Sequence, residues 1–185
     1  MPAFPQLTTQ RLLLRELQKK DAARLAELLR DPDVSGCLSR DFSNITVKQQ
    51  RGFIKRNHKA FLQGKTLQWG ICDRATGVLM GCINKMPIDR GNRSATAGFW
   101  LGKAYWGQGY MTEAFQAVLT YCFEEMHLNR VSAGHLEDNA ASGRVMRKCG
   151  LQYEGTHRQA LYLREQYRDV LMYAILREDY LNSHK

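Results

Sequence analysis

The stretch "YWGQGYMTEAF", Tyr105 to Phe115, sets two glycines one residue apart directly before a run with helical hydrophobic spacing. From Gly109 onward the apolar residues are Met111, Ala114, Phe115, Val118, Leu119, Cys122, Phe123 and Met126. They recur at three- and four-residue steps, which makes one face of a helix apolar and fit to pack on a core. Immediately upstream, "ATAGFWLG" (Ala95 to Gly102) is a strand-like run. The order is strand, glycine turn, helix. The first turn of such a helix carries unpaired backbone N–H groups at the positive end of its dipole, and glycine lets an anion come close to that backbone. The turn is therefore either a phosphate cradle or merely a tight connection.

Two common phosphate motifs are excluded by the residues that follow. A dinucleotide fingerprint needs a third glycine where Thr112 stands, and a P-loop needs Gly-Lys-Ser/Thr after the turn, which is absent. Working outward, "RVSAGHLE" (Arg130 to Glu137) reads as a strand and "NAASGRVMRKCG" (Asn139 to Gly150) as a short helix ended by glycine. Two last strands cover Gln152 to Leu163 and Tyr167 to Leu176. Upstream, "RLLLREL" (Arg11 to Leu17) is a first strand, and a helix capped by Asp21 runs until Pro32. Gly36 to Asn44 reads as loop, Val47 to Gln63 as a second helix, and Thr66 to Asp73 with Val78 to Ile88 as an antiparallel hairpin. The result is β-α-α-β-β-β-α-β-α-β-β, a mixed α/β or α+β layered fold with antiparallel pairs around one βαβ crossover, Gly98 to Leu136.

Bulk properties narrow the function classes. With 185 residues, 44% of them hydrophobic, and no repeat, low-complexity tract or linker, the chain is expected to form one domain over residues 1–185. Lys and Arg outnumber Asp and Glu 27 to 18, a formal +9 that suits either a polyanionic partner or a solvated basic surface. Five scattered cysteines, with no His in a ligand-like array, read as reduced core residues, with neither a disulfide framework nor a metal site. No leader pattern opens the chain and no apolar run approaches a membrane span, so a cytoplasmic protein without membrane contact is expected.

The segments "GFWLGKAYWGQGYMTEAF", "NAASGRVMRKCGLQYEG" and "YRDVLMYAILREDY", in this order, resemble the GNAT acetyltransferase superfamily, and within it the RimJ/RimL-type N-acetyltransferases. The resemblance extends from "LTTQRLLLRE" to "LREDY". It implies a mostly antiparallel sheet of about seven strands with about four helices, and a V-shaped cleft between the fourth and fifth strands. The strand matching Gly98 to Leu101 would carry a bulge and expose backbone to acyl-pantetheine.

By the same resemblance, backbone groups of Phe99, Trp100 and Leu101 would hold pantetheine, and an N–H there, assigned to Leu101, would stabilise the developing oxyanion. The pyrophosphate loop maps onto Trp106-Gly107-Gln108-Gly109-Tyr110-Met111, with backbone donors continuing to Thr112. Trp106 stands where the superfamily has Arg or Gln, and Met111 where it has Gly or Ala. Asn139 would bond the pantetheine or substrate region, and Ser142 would protonate the departing thiolate. Each also suits the start of a helix without any ligand. Arg144, Arg147 and Lys148 would approach the cofactor phosphates or form a solvated basic face. Relatives place carboxylates at positions matching Leu161 and Thr96, so the general base is open among Glu137, His135 and a water chain to solvent. The implied co-substrate is acetyl-CoA, with no metal.

The implied activity is direct acetyl transfer from acetyl-CoA to a primary amine, first of all a protein N-terminus, with ribosome or ribosomal-protein contact. Acceptor choice is expected to sit in Pro32 to Val47 and in the turn Arg90 to Ser94. Acetylation of a small amine and a non-catalytic acyl-CoA-binding module are the alternatives. Monomer and homodimer both remain open.

Overall fold

The computed structural model describes residues 3–183. Eight strands form one sheet: β1 (Leu7–Thr8), β2 (Leu12–Glu16), β3 (Thr66–Asp73), β4 (Leu79–Asp89), β5 (Ser94–Leu101), β6 (Arg130–Leu136), β7 (Gln152–Leu163) and β8 (Gln166–Leu176), in the spatial order β1-β2-β3-β4-β5-β6-β8-β7. The helices are α1 (Ala22–Arg30), α2 (Pro32–Gly36), α3 (Val47–Leu62), α4 (Tyr110–Thr120), α5 (Ala140–Lys148) and α6 (Arg177–Ser183). Every neighbouring pair of strands is antiparallel except β5 and β6, which are parallel. A parallel pair needs a crossover, and α4 supplies it.

The sheet is covered on both faces. On one side Trp69 and Ile71 of β3 pack with Phe115, Val118 and Phe123 from α4 and the turn after it. On the other, Cys72, Cys82 and Trp100 pack with Leu25 and Leu29 of α1 and Ile54 of α3. This two-sided burial leaves β3 buried at every position from Thr66 to Cys72, the polar Thr66 and Gln68 included. The long helix α3 starts where its sequence says it should: Thr46 accepts from the Gln49 N–H and Gln49 reaches back, a reciprocal cap.

Three elements exceed the seven strands and four helices read from sequence. β1 is two residues long and exists only by pairing on β2, with Leu7 opposite Leu14. Pro32 does not merely stop α1. It opens α2, where Asp31 accepts from the Asp33 N–H, because proline is well suited to the first helical position. α6 follows β8 directly. The helix expected to reach Met126 changes to a π turn over Tyr121–Glu125 after α4 ends at Thr120.

The β5–β6 ladder is short. It runs from Ser94 opposite Arg130 to Ala97 opposite Ala133 and stops, while β5 stays paired with β4 as far as Leu101 opposite Gly81. Beyond Ala97 the two parallel strands part, leaving a V-shaped opening. The bulge, however, is not on β5. Asn84 faces Gly98 and Ile88 faces Ala95, so β4 carries one extra residue here, and it carries an extra residue against β3 between Ile83 and Met86 as well. A bulge bends its own strand, so the bend lies in β4, beside the point where the cleft begins.

Candidate active site

The glycine turn adopts the backbone it appeared to need. Gly107 and Gly109 have φ of 73° and 80°, a region that side chains disfavour. A Cβ on Gly107 would meet nothing within 4 Å, so the turn borders open space. α2, α3 and α5 begin with a side chain that accepts from the helix (Asp31, Thr46 and Asn139), but α4 begins at Gly109 with none. The N–H groups at Tyr110, Met111 and Thr112 are therefore left for an outside acceptor.

The turn is braced from behind. Arg11 donates from Nη1 to Gln108 O at 3.1 Å and from Nε to Glu113 Oε2 at 2.7 Å, and its guanidinium lies 4.4 Å from the Tyr110 ring centre. Glu113 Oε1 accepts from Thr9 Oγ1 at 2.6 Å and from the Arg11 N–H at 3.0 Å. Partial burial pushes the Glu113 carboxyl up, but these hydrogen bonds outweigh it and hold the group below the usual carboxylate range. On the other flank, Trp106 Nε1 donates to Leu101 O at 2.8 Å.

The turn opens on a cleft of about 370 Å³ between β5 and β6. The Gly102 N–H donates to Met80 O at 2.9 Å, and a Cβ on Gly81 would lie 2.2 Å from Trp100 O, so Trp100 and Gly102 address β4. Strand alternation then directs the N–H groups of Phe99 and Leu101 to the β6 side, where β6 has departed. The Leu101 carbonyl is engaged by Trp106, and its N–H stays available.

The residues singled out for catalysis and cofactor binding all line this cleft except Gln108, Glu137 and Arg147. Glu137 Oε1 accepts from Arg168 Nε at 2.5 Å, and Asp138 Oδ2 from Arg168 Nη2 at 2.7 Å, outside the lining. Arg144 and Lys148 line the cleft, whereas Arg147 donates to Tyr173 Oη at 2.9 Å. Asn139 is occupied at both ends: Oδ1 accepts from the Ser142 N–H at 3.2 Å, and Nδ2 donates to Cys37 O at 3.3 Å. The Ser142 hydroxyl makes no hydrogen bond among the described residues. His135 is buried under α5 with Nδ1 2.7 Å from Leu136 O, which fixes the proton there and leaves Nε2 without a partner.

Several lining residues carried no signal in the sequence. Asn84, Tyr105 and Val170 belong here, and the cleft's other mouth is formed by Val34, Cys37 and Leu38, within the acceptor loop that was expected. The turn Arg90 to Ser94 contributes nothing to the lining. At the α2 mouth, Arg164 donates to Ser35 O at 2.9 Å and Gly36 O at 3.1 Å, so the β7–β8 turn is clamped to the end of α2. Such contacts join residues 128 and 129 positions apart, which no local pattern predicts. Among the described residues no carboxylate lines the cleft. Cys72, Cys82, Cys122 and Cys149 are buried and unbridged, and burial pushes the thiols of Cys122 and Cys149 up to about 12. Among the described residues no His, Cys, Asp or Glu side chains cluster as metal ligands, and no helix is long and apolar enough to cross a membrane.

Comparison with known proteins gives a consistent result. The acetyltransferase (GNAT) domain matches residues 11–152. The chain is 30% identical over 178 residues to the uncharacterized N-acetyltransferase p20 of Bacillus licheniformis, covering 94% of this chain and 97% of that one. It is 27% identical to the [ribosomal protein uS5]-alanine N-acetyltransferase of Escherichia coli, covering 94% and 92% of the two chains. Among solved structures it is similar to RimL, the ribosomal L7/L12 alpha-N-protein acetyltransferase in complex with coenzyme A. The TM-score is 0.84 at 25% identity, over 93% of this chain and 98% of that one.

Proposed function

Because the chain belongs to the acetyltransferase (GNAT) domain family, we propose that it transfers acetyl from acetyl-CoA to the N-terminal α-amine of a protein, by direct attack in a ternary complex. The observation that carries this reading is the uncapped start of α4 behind two glycines at positive φ, opening on a cleft walled by unpaired β5 N–H groups. That combination suits a ligand with a diphosphate at one end and an amide-bearing arm at the other. The coenzyme A bound by RimL and the ribosomal-protein substrate named for the E. coli relative support the same reading.

In this reading the N–H groups from Gly107 to Thr112 receive the pyrophosphate, with Arg144 and Lys148 adding positive charge. The pantetheine arm lies along Phe99 to Leu101 as an added strand. The Leu101 N–H faces the thioester oxygen and stabilises its negative charge as the amine attacks. The Ser142 hydroxyl gives its proton to the departing thiolate as it takes one from cleft water, while Asn139 holds α5 and α2 together. The amine's proton leaves through water at the α2 mouth, since Glu137 is engaged by Arg168 and no carboxylate lines the cleft. An α-amine, with a pKa of about 7.7–8.0, supplies enough free base at neutral pH for that route, and a lysine side chain far less.

The cleft's lack of carboxylates also disfavours a polyamine acceptor. The exposed cations Lys48, Arg51, Lys55, Arg56 and Lys59, on a helix with no acidic residue, support docking on a polyanionic surface such as the ribosome. We read residues 1–185 as one catalytic domain working in the cytoplasm. The test is incubation with isotopically labelled acetyl-CoA and a cell extract, followed by mass spectrometry. Label on protein N-terminal amines is expected, and label confined to lysine side chains or small amines would contradict the reading.

A further inference from the structure

Asn84 stands opposite Gly98, the first residue of β5 beyond the end of the β5–β6 ladder, and so sits at the apex of the cleft. Successive residues of a strand alternate in face, which puts Asn84 on the same side as Cys82 and Trp100, toward α1 and α3. This is also the side of the α2 mouth. A Cβ on Gly98 would meet only Asn84 Cβ, at 3.8 Å, so Asn84 is the side chain beside that position.

Two buried neighbours determine which end of the Asn84 amide meets the cleft. Trp100 Nε1 donates to Asn84 Oδ1 at 3.3 Å, and Gln68 Nε2 donates to the same oxygen at 3.4 Å. An indole N–H can only donate, so the amide oxygen must face Trp100 and cannot exchange places with Nδ2. Both N–H donors of Nδ2 are left, and Nδ2 makes no hydrogen bond among the described residues. Gln68, only 4% exposed, keeps its own Oε1 buried without a partner. A buried, incompletely satisfied amide pair costs stability in an apolar layer. Asn84 lines the cleft, and with its oxygen engaged the group it has left to offer there is the Nδ2 donor.

A neutral donor, in a cleft with no carboxylate, recognises a carbonyl oxygen rather than an ammonium. In an α-aminoacyl group the carbonyl carbon is bonded directly to the carbon that bears the amine. We infer that Asn84 is a specificity-determining residue that donates to the first carbonyl of the acceptor, so that the site selects an α-aminoacyl terminus over an amine with no neighbouring carbonyl. This rests on the acceptor reading given above.

The test compares kcat/KM for an alanyl peptide and for an alkylamine of matched length, each expressed per deprotonated amine, in the wild type, Asn84→Leu and Asn84→Asp. Acetyl-CoA affinity serves as the check that each variant is folded. The peptide-to-alkylamine ratio should fall about tenfold or more in both variants, chiefly through the peptide KM. A ratio within twofold of the wild type in either variant overturns the inference. Should both variants fail to fold, the wild type alone still decides: a tenfold preference for the peptide is expected, and equal use of the two amines refutes it. A wild type that acetylates no peptide contradicts the acceptor reading itself, a result distinct from an unchanged ratio.

Discussion

At φ of 80°, Gly109 holds a conformation that costs a side chain roughly 1–2 kcal/mol, and a branched side chain more. Gly109→Val should therefore lower thermal stability modestly and weaken acetyl-CoA binding at least tenfold, because relieving the strain re-aims the first N–H groups of α4 while its Cβ presses toward Arg11 Nη2, 3.5 Å away in the brace. Isothermal titration of the folded variant checks this, and unchanged affinity would remove the turn from the binding site. Four residues on, Glu113 makes the brace behind the turn pH-dependent. Its folded pKa is depressed, so its contribution is complete above the unfolded value of about 4.3 and disappears as pH falls through the lower folded value. Thermal midpoints measured from pH 7 to pH 3 should drop more steeply for the wild type than for Glu113→Gln, and parallel curves would show that the brace carries no such weight. At this scale the sequence was informative where a residue's place is set by its own backbone or an adjacent helix end: Gly107 and Gly109 take the positive φ of the turn, and Ser142 lies in the first turn of α5. It was silent where a distant partner decides. Nothing near Glu137 announces Arg168, and nothing near Asn84 announces the indole that orients it.

Among the elements, those with a strong internal signal were legible. The apolar stripe of α4 and the span of α3 from Val47 are local properties that survive in the fold. β1 and α2 were not, since two- and five-residue elements depend on what they pair with or pack on. α2 matters most for the proposed function, because Val34 lines the cleft and the last α2 carbonyls are held by Arg164 from the β7–β8 turn. Arg164→Ala should leave those carbonyls to water and loosen the mouth without touching the glycine turn. Initial-rate kinetics should then show an acceptor KM raised several-fold with acetyl-CoA affinity unchanged. An unchanged acceptor KM would mean that the clamp plays no part in acceptor binding.

For the whole molecule, the decisive feature is one sheet in which a single parallel pair separates after four residues per strand. The βαβ crossover followed from the sequence, because a long amphipathic helix between two strands admits few arrangements. The location of the bulge did not follow: it depends on the register of β4 against both neighbours, a relation that no stretch of one strand encodes. The separation of β5 and β6 joins the two halves of the proposed chemistry, a phosphate cradle at one mouth and an acceptor entrance with no carboxylate at the other. The most direct test of that arrangement is to mix the purified protein with acetyl-CoA and an alanyl peptide and to follow free thiol and peptide mass together. One thiol should appear for each acetyl group found on the peptide α-amine, with no release in the absence of peptide. Tight acetyl-CoA binding with no peptide-dependent release would contradict the account and leave a binding module in place of an enzyme.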